Sequence, residues 1–292
     1  MKKYLSIIGL IIVAIIWGGG FVASDIALEG FLPFQIMVIR FILATALMGG
    51  ITYKELKNVH KEELRAGFLM GCALFIGFSL QIIGLQYTTP SKNAFLTATN
   101  VVIVPFIAFV IYKKKISLTG IIGAVMAIVG VGILSLEKNL TLGIGDALTL
   151  ICAFGFAFHI FLTGEFTSKF RATVLNFVQM CTAAILSIIS LVIFQQFQYV
   201  ATPKAILSVL YLGVVSTTIT YLLQTTCQKY VDETKAAIIL AMESIFGTLF
   251  SIILLHEQIT GKMIMGCILI LAAVIISNLS ENKEVAIEGG RT

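Results

Sequence analysis

Leu5–Ser24, LSIIGLIIVAIIWGGGFVAS, contains no charged residue. A hydrocarbon core about 30 Å thick needs about 20 helical residues at 1.5 Å each, so this stretch is long enough to cross it. Nine further stretches of the same kind follow, near 34–53, 66–86, 92–112, 118–136, 144–163, 173–194, 205–226, 235–255 and 261–279. Composition agrees with a membrane as the solvent. Of all residues 58% are hydrophobic and 12% charged, where soluble domains carry about 25% charge, and mean hydropathy is +1.01. A soluble core cannot absorb so much apolar surface in 292 residues. The predicted fold class is all-α: a polytopic membrane protein of ten transmembrane helices, with loops too short for a second folded domain. The tail 281–292 is expected to be disordered.

Charge gives the topology. With the N-terminus inside, the inner loops and ends hold Lys2, Lys3, Lys54, Lys57, Lys61, Arg65, Lys113, Lys114, Lys115, Lys169, Arg171, Lys229, Lys235, Lys283 and Arg291. The outer loops hold only Lys92, Lys138, Lys204 and Lys262. This asymmetry is the positive-inside signal, so both termini are expected in the cytoplasm, with the chain in the cell membrane. The formal charge of +5 is spread over every inner loop, which argues against a nucleic-acid partner. Lys2 and Lys3 precede an apolar run as they would in a signal peptide. That run is long for one and has a later counterpart, so the first span is expected to remain. Cys72, Cys152, Cys181, Cys227 and Cys267 show neither CxxC nor Cys/His spacing. No metal or other cofactor is expected, and the cysteines read as small packing residues.

The chain also matches itself. At a shift of 143, Gln81 falls on Gln224, Tyr87 on Tyr230, Lys92 on Lys235, Ala94 on Ala237 and Ala98 on Ala241; further on, Ile116 falls on Ile259, Gly123 on Gly266 and Val131 on Val274. At a shift of 139, Trp17 meets Phe156, Arg40 meets Gln179, Ala44 meets Ala183 and Leu47 meets Leu186. The predicted division is a first repeat over 1–140, a second over 141–280 and the tail. Five spans per copy reverse the chain, so the second copy is expected upside down. The charges agree: Lys113–Lys115 correspond to His256, Glu257 and Gln258, which have lost the positive excess. Inverted repeats about an axis in the membrane plane are a transporter architecture with a site near the midplane.

Polar side chains inside the spans are the candidates, because a charge at mid-bilayer costs roughly 2.5 kcal/mol or more. Glu243 lies near mid-depth in the ninth span and can exchange a proton, pair a cationic solute, or lock helices together. Its repeat mate Asn100 lies at similar depth in the fourth span and cannot titrate. Arg40 can hold an anionic group such as a carboxylate; the alternative is snorkelling, or pairing with Asp25 or Glu29 at the rim. His159 can relay protons or act as a hydrogen-bonded packing residue. Trp17, beside Gly18, Gly19 and Gly20, can wall a cavity or sit in an interfacial belt. Gln81, Gln179 and Gln224 suit interhelical hydrogen bonds; Gly67 and Gly71, with Gly130 and Gly132, suit close helix contacts. Pro90 should end the third span, and Pro105 should kink the fourth. The connector Lys54–Arg65, KELKNVHKEELR, suggests a helical turn or two with no role beyond topology.

The stretches FLTATNVVIVPFIAFVIYKKKISLTGIIGAVMAIVGVGILS (95–135) and QKYVDETKAAIILAMESIFGTLFSIILLHEQITGKMIMGCILILAAVIIS (228–277) resemble the two repeats of EamA-type permeases in the drug/metabolite transporter superfamily. Glu243 and Glu257 match the family's glutamates in and ending its ninth helix, and Gly266 matches the glycine of the next. Trp17 and Arg40 sit where the first repeat commonly has a tryptophan and an arginine. The family's glutamate–proline pair is Glu243–Ser244 here, so a proline-driven bend of the ninth helix does not carry over. The resemblance implies ten helices in inverted five-helix halves, with helices one to four and six to nine around a central cavity. It also implies export of small metabolites, such as amino acids or drug-like compounds, without ATP.

Other classes find less in the sequence. No histidine cluster or paired intramembrane aspartates suggests an enzyme, and no GxxxxGK[ST] loop suggests ATP-driven transport. The expected function is a secondary active transporter working by alternating access on a small-molecule substrate, with protons as a candidate partner. A lipid or lipid-linked-group flippase and a passive facilitator stay open beside it. The solute is expected near Trp17, Arg40, Asn100 and Glu243, with Glu243 and His159 as candidates for proton coupling.

Overall fold

The computed structural model describes residues 2–113, 118–135, 142–231 and 233–278, which form helices and no β-strand. In chain order these are α1 (Lys2–Leu28), α2 (Pro33–Thr52), α3 (Lys61–Leu85), α4 (Pro90–Thr97), α5 (Asn100–Tyr112), α6 (Leu118–Ser135) and α7 (Ile144–Thr167). There follow α8 (Ala172–Ile193), α9 (Pro203–Gly213), α10 (Thr220–Gln228), α11 (Glu233–Leu240), α12 (Glu243–Leu255) and α13 (Gly261–Asn278). A 3₁₀ turn covers Glu55–Asn58, and a π turn, Val214–Ile219, joins α9 to α10. Taking α4–α5, α9–α10 and α11–α12 as continuous spans, 8 helices are long and apolar enough to cross a membrane. Ile121–Ile133 in α6 and Gly261–Ala273 in α13 are apolar but shorter. The tail 281–292, the division at 140–141, and Lys114, Lys115, Ile116, Lys138, Lys283 and Arg291 lie outside the described residues.

Proline starts helices here. Pro33, Pro90 and Pro203 each stand in the first turn of α2, α4 and α9, where no intrahelical partner for their missing N–H is needed. Thr89 and Thr202 cap two of these starts by accepting from the Lys92 and Ala205 amides at 3.4 and 3.2 Å. Pro90 thus opens α4, correcting the expectation that it closes the third span, and Lys92 moves from a loop into the helix's first turn.

The fourth and ninth spans were expected as single helices, the fourth bent at Pro105. Both are interrupted instead at Ala98–Thr99 and Ala241–Met242, 143 residues apart. Bonds tighten to the i,i−3 pattern there: Thr99 N–H donates to Leu96 O at 3.2 Å, and Met242 N–H to Ile239 O at 3.2 Å. Pro105 lies inside α5, beyond the first break. The ninth span breaks without a proline, the Ser244 hydroxyl donating to Ala241 O at 2.8 Å. α4 packs on α12 and α5 on α11, which brings the two breaks side by side.

Small residues set the closest contacts. A Cβ on Gly71 of α3 would stand 2.5 Å from Thr182 Cβ of α8, and one on Gly18 of α1 would stand 2.5 Å from Phe246 Cβ of α12. Only glycine lets these backbones approach so far. The charged connector has a structural task as well. Arg171, just ahead of α8, donates to both Glu63 carboxylate oxygens at 2.8 and 2.6 Å and to Asn58 O at 2.7 Å. Thr173 donates to the Glu55 carboxylate at 2.7 Å. This clasp ties the α2–α3 connector to the start of α8.

Candidate functional site

A cavity of about 40 Å³ lies among α1, α2, α3, α4, α5, α7, the π turn, α10, α11 and α12, and Trp17, Arg40, Asn100, His159 and Glu243 all line it. Five residues from five separate spans therefore meet at one place. Trp17, Phe21, Phe78, Phe156 and Tyr221 supply the aromatic part of its walls.

Arg40 neither snorkels nor reaches Asp25 or Glu29. It is buried, its Nε donates to Thr217 Oγ1 and its terminal nitrogen to Ser216 Oγ at 3.4 Å. The guanidinium carbon lies 3.9 Å from the centroid of the Phe78 ring, a cation–π stack. Among the described residues no carboxylate pairs with it.

The π turn carries these partners. Thr217 and Thr218 donate through their hydroxyls to Leu212 O and Gly213 O at 2.7 and 2.8 Å, five residues back, which occupies carbonyls in the widened turn. Trp17 docks on the same turn, its Nε1–H donating to Ser216 O at 3.0 Å and Thr220 Oγ1 at 2.9 Å. With that N–H engaged, the indole offers the cavity a ring face, and Tyr221 lies 5.1 Å from it. π turns of this kind concentrate at functional sites. Sequence reasoning missed it, along with Ser216, Phe78, Tyr221 and Asn93. The run Ser216-Thr217-Thr218 followed by Thr220 was the available signal, being unusually rich in hydroxyls for an apolar span.

His159 Nε2 stands 2.8 Å from Gln179 Oε1, and Gln179 Nε2 donates to Asn176 Oδ1 at 2.6 Å. Gln179 thus joins α8 to α7, as an interhelical glutamine should. Gln81 of α3 likewise donates to Thr97 Oγ1 of α4 at 3.1 Å. Gln224 differs: its bond, to Gln228 Oε1 at 2.7 Å, stays within α10.

Asn100 and Glu243 begin α5 and α12, directly after the two breaks. Both are buried, and Asn100 Oδ1 has no hydrogen-bond partner. No cation pairs with the Glu243 carboxyl among the described residues. These residues also contain no group of three or more His, Cys, Asp and Glu side chains able to hold a metal. The site sets the separated side chains of Arg40 and Glu243 among aromatic rings.

Known proteins agree in class. The sequence profile of the EamA-like transporter family matches residues 4–136 and again 143–279. An uncharacterized transporter of Archaeoglobus fulgidus is 33% identical over 96% of this chain and 87% of its own length. The uncharacterized transporter YoaV of Bacillus subtilis is 22% identical over 94% of this chain and 97% of its own. One crystal structure shares the fold with a TM-score of 0.70 at 17% identity, over 96% of this chain and 98% of that one.

Proposed function

The chain belongs to the EamA-like transporter family, whose members are multi-pass membrane proteins, and within it we propose a secondary permease that exports a small metabolite by alternating access. Ten spans in two inverted five-helix halves would form it, 1–140 and 141–280, with both termini in the cytoplasm of a cell-membrane protein. The solute, an amino acid or a drug-like compound of similar size, would sit between the halves.

One observation carries this reading: the cavity is lined in repeat pairs. At the shift of 139, Trp17 corresponds to Phe156, Gly20 to His159 and Phe21 to Ile160. At 143, Phe78 corresponds to Tyr221, Gln81 to Gln224, Thr97 to Leu240 and Asn100 to Glu243, and both members of every pair line the cavity. A site on a pseudo-two-fold axis is lined in this way. Arg40 and Ser216, which lack such mates there, are bonded to each other. The remaining lining residues, Ser24, Ile82, Leu85 and Asn93, lie toward the ends of α1, α3 and α4 that the charge pattern assigns to the outside. On the other side, Leu10, Val13, Val101, Val104, Phe161 and Cys227 pack into a dry apolar cluster. That asymmetry fits an outward-facing state, with rocking of the halves as the means of inward opening. Arg40 would hold an anionic group and Glu243 a cationic one or a proton, with His159 as the further candidate for a relay.

The test is exchange in proteoliposomes. Vesicles loaded with a mixed metabolite pool are followed by mass spectrometry, with and without a pH gradient. Gradient-accelerated release of a few compounds is expected. Selective release that ignores the gradient would favour the passive facilitator, and movement of labelled lipid without metabolite release would favour the flippase.

A further inference from the structure

Around the cavity several side-chain donors are engaged while three amide oxygens are left over. Trp17 Nε1–H donates into the π turn, Gln81 Nε2 to Thr97, and Asn93 Nδ2 to Gln81 O and Thr149 Oγ1 at 3.2 and 2.9 Å. Asn93 Oδ1, Asn100 Oδ1 and Gln224 Oε1 are buried without a partner. For Gln224 the orientation follows from its neighbours. Gln228 Nε2 donates to Ile160 O at 3.2 Å, so its Oε1 must accept from Gln224 Nε2, and the Gln224 oxygen is left facing nothing. His159 ends a second such chain. His159 Nε2 pairs with Gln179 Oε1 at 2.8 Å, Gln179 Nε2 donates to Asn176 Oδ1 at 2.6 Å, and Asn176 Nδ2 is buried without a partner.

Glu243 completes the set: a carboxyl 7% exposed, with no ion-pair partner among the described residues. An ionised carboxylate held this way is costly unless a positive charge meets it. A protonated one supplies a single O–H donor, too few for the amide oxygens around it. Waters would satisfy those oxygens but leave the charge unmatched. A divalent ion would overcompensate one carboxylate in a cavity that already contains Arg40. A single positive charge with several donors or coordination positions meets both needs, matching the carboxylate and supplying the amide oxygens.

We propose that Glu243, Asn100 and Gln224, at the deep end of the cavity, form the binding site of a compact monovalent cation: sodium, or the primary ammonium group of a solute. All three line the same cavity, and Asn100 and Glu243 open α5 and α12 directly after the two breaks. Arg40, in the same cavity, is engaged by the π-turn hydroxyls and the Phe78 face. The proposal rests on reading the cavity as the transport site.

The chain contains 1 tryptophan, and it lines the cavity, so Trp17 fluorescence reports on the site directly. Purified full-length protein would be titrated with sodium, methylammonium and N-methylglucamine chlorides at constant ionic strength and pH. A saturable change is expected with sodium or methylammonium and not with N-methylglucamine. It should weaken about tenfold or more in both Glu243→Gln and Gln224→Leu. Asn100→Ala replaces either variant that loses the parent's cooperative thermal unfolding. Saturation by sodium alone identifies a coupling ion; saturation by methylammonium alone identifies a solute head group. A response equal in parent and variants, or a response to pH and to neither cation, overturns the proposal. Selective metabolite release without any cation response would overturn this site and leave the permease standing. Cation binding without release would do the reverse.

Discussion

At the first break, Ala98 and Thr99 leave the helix, the Thr99 hydroxyl donates back to Leu96 O at 2.6 Å, and Asn100 starts α5. At the second, Ala241 and Met242 leave it, the Ser244 hydroxyl donates back to Ala241 O, and Glu243 starts α12. The backbone solution is shared and the chemistry is not. On the first side Gln81 finds the Thr97 hydroxyl one helix away. On the second, Leu240 occupies the corresponding place, Gln224 turns to its own helix, and its oxygen is orphaned. A neutral break, with its own unmet acceptor at Asn100 Oδ1, therefore lies beside one with a carboxyl and the orphaned Gln224 oxygen. The difference argues that repetition supplies the frame while divergence supplies the site. Polar groups left unsatisfied in a low-dielectric interior are costly to retain without a ligand.

The largest expected effect tests that asymmetry. Glu243→Gln should lower gradient-driven release in proteoliposomes by about tenfold or more, the loss of at least about 1.4 kcal/mol of differential stabilisation. Asn100→Ala should cost clearly less in the same assay. Equal losses would break the comparison, and an unaffected pH response in Glu243→Gln would remove the carboxyl from coupling.

Packing beside the breaks differs as well. Gly18 of α1 lies against Phe246, just past the second break, while its counterpart at the shift of 139 is Ala157, fully buried in α7. Gly18→Ala places a methyl 2.5 Å from Phe246 Cβ. It should destabilise the fold by about 1–3 kcal/mol, as overpacked sites do. Gly50→Ala, where no heavy atom lies within 4 Å of the added Cβ, should be neutral or slightly stabilising. Thermal unfolding in one detergent checks both. A neutral Gly18→Ala would mean that α1 and α12 have room to separate, as a moving pair would.

The partner difference can be moved from one half to the other. Leu240→Thr should give Gln224 the hydroxyl that Gln81 already has, and Thr97→Leu should orphan Gln81. Each bond is worth about 1 kcal/mol, the net value of one buried hydrogen bond. Stability should fall with Thr97→Leu. Leu240→Thr gains the bond but removes a buried leucine from its apolar cluster, so its net loss should be smaller than that of Leu240→Ala, measured by denaturant or heat. If Leu240→Thr also weakens cation binding without unfolding the protein, the free Gln224 oxygen is a ligand and the comparison is sharpened.

Much of this was legible in the sequence because lipid imposes simple rules. A span needs length and apolarity, so the hydrophobic runs announced the helices. A buried charge needs a reason, so Arg40 and Glu243 stood out before any contact was known. What stayed hidden depends on neighbours distant in the chain. Phe78 and Tyr221 look like ordinary core residues until the guanidinium and the indole are set against them. The snorkelling alternative for Arg40 failed because Ser216 and Thr217, 176 and 177 residues away, offer it hydroxyls inside the bundle. Pro105 drew attention to the wrong turn: the break is a property of tightened hydrogen bonds at Ala98–Thr99, which no proline or glycine marks.

The smallest effect is expected at Ser244, and it decides what makes the second break. Where the resembling family has proline after its glutamate, this chain has serine, yet the helix is interrupted at the same level. Ser244 is the second residue of α12, a position where proline fits, since its N–H makes only the short 3.1 Å bond to Ala241 O and no i,i−4 bond. Ser244→Pro would lose that bond and the hydroxyl bond while gaining a fixed φ suited to a helix start. The two should nearly cancel, leaving stability within about 0.5 kcal/mol of the parent and transport unchanged. Ser244→Ala, which loses the hydroxyl bond and gains nothing, should cost about 0.5–1.5 kcal/mol. If proline proves the more damaging of the two, the break depends on the Ser244 N–H, and the two halves reach the same backbone geometry by different means.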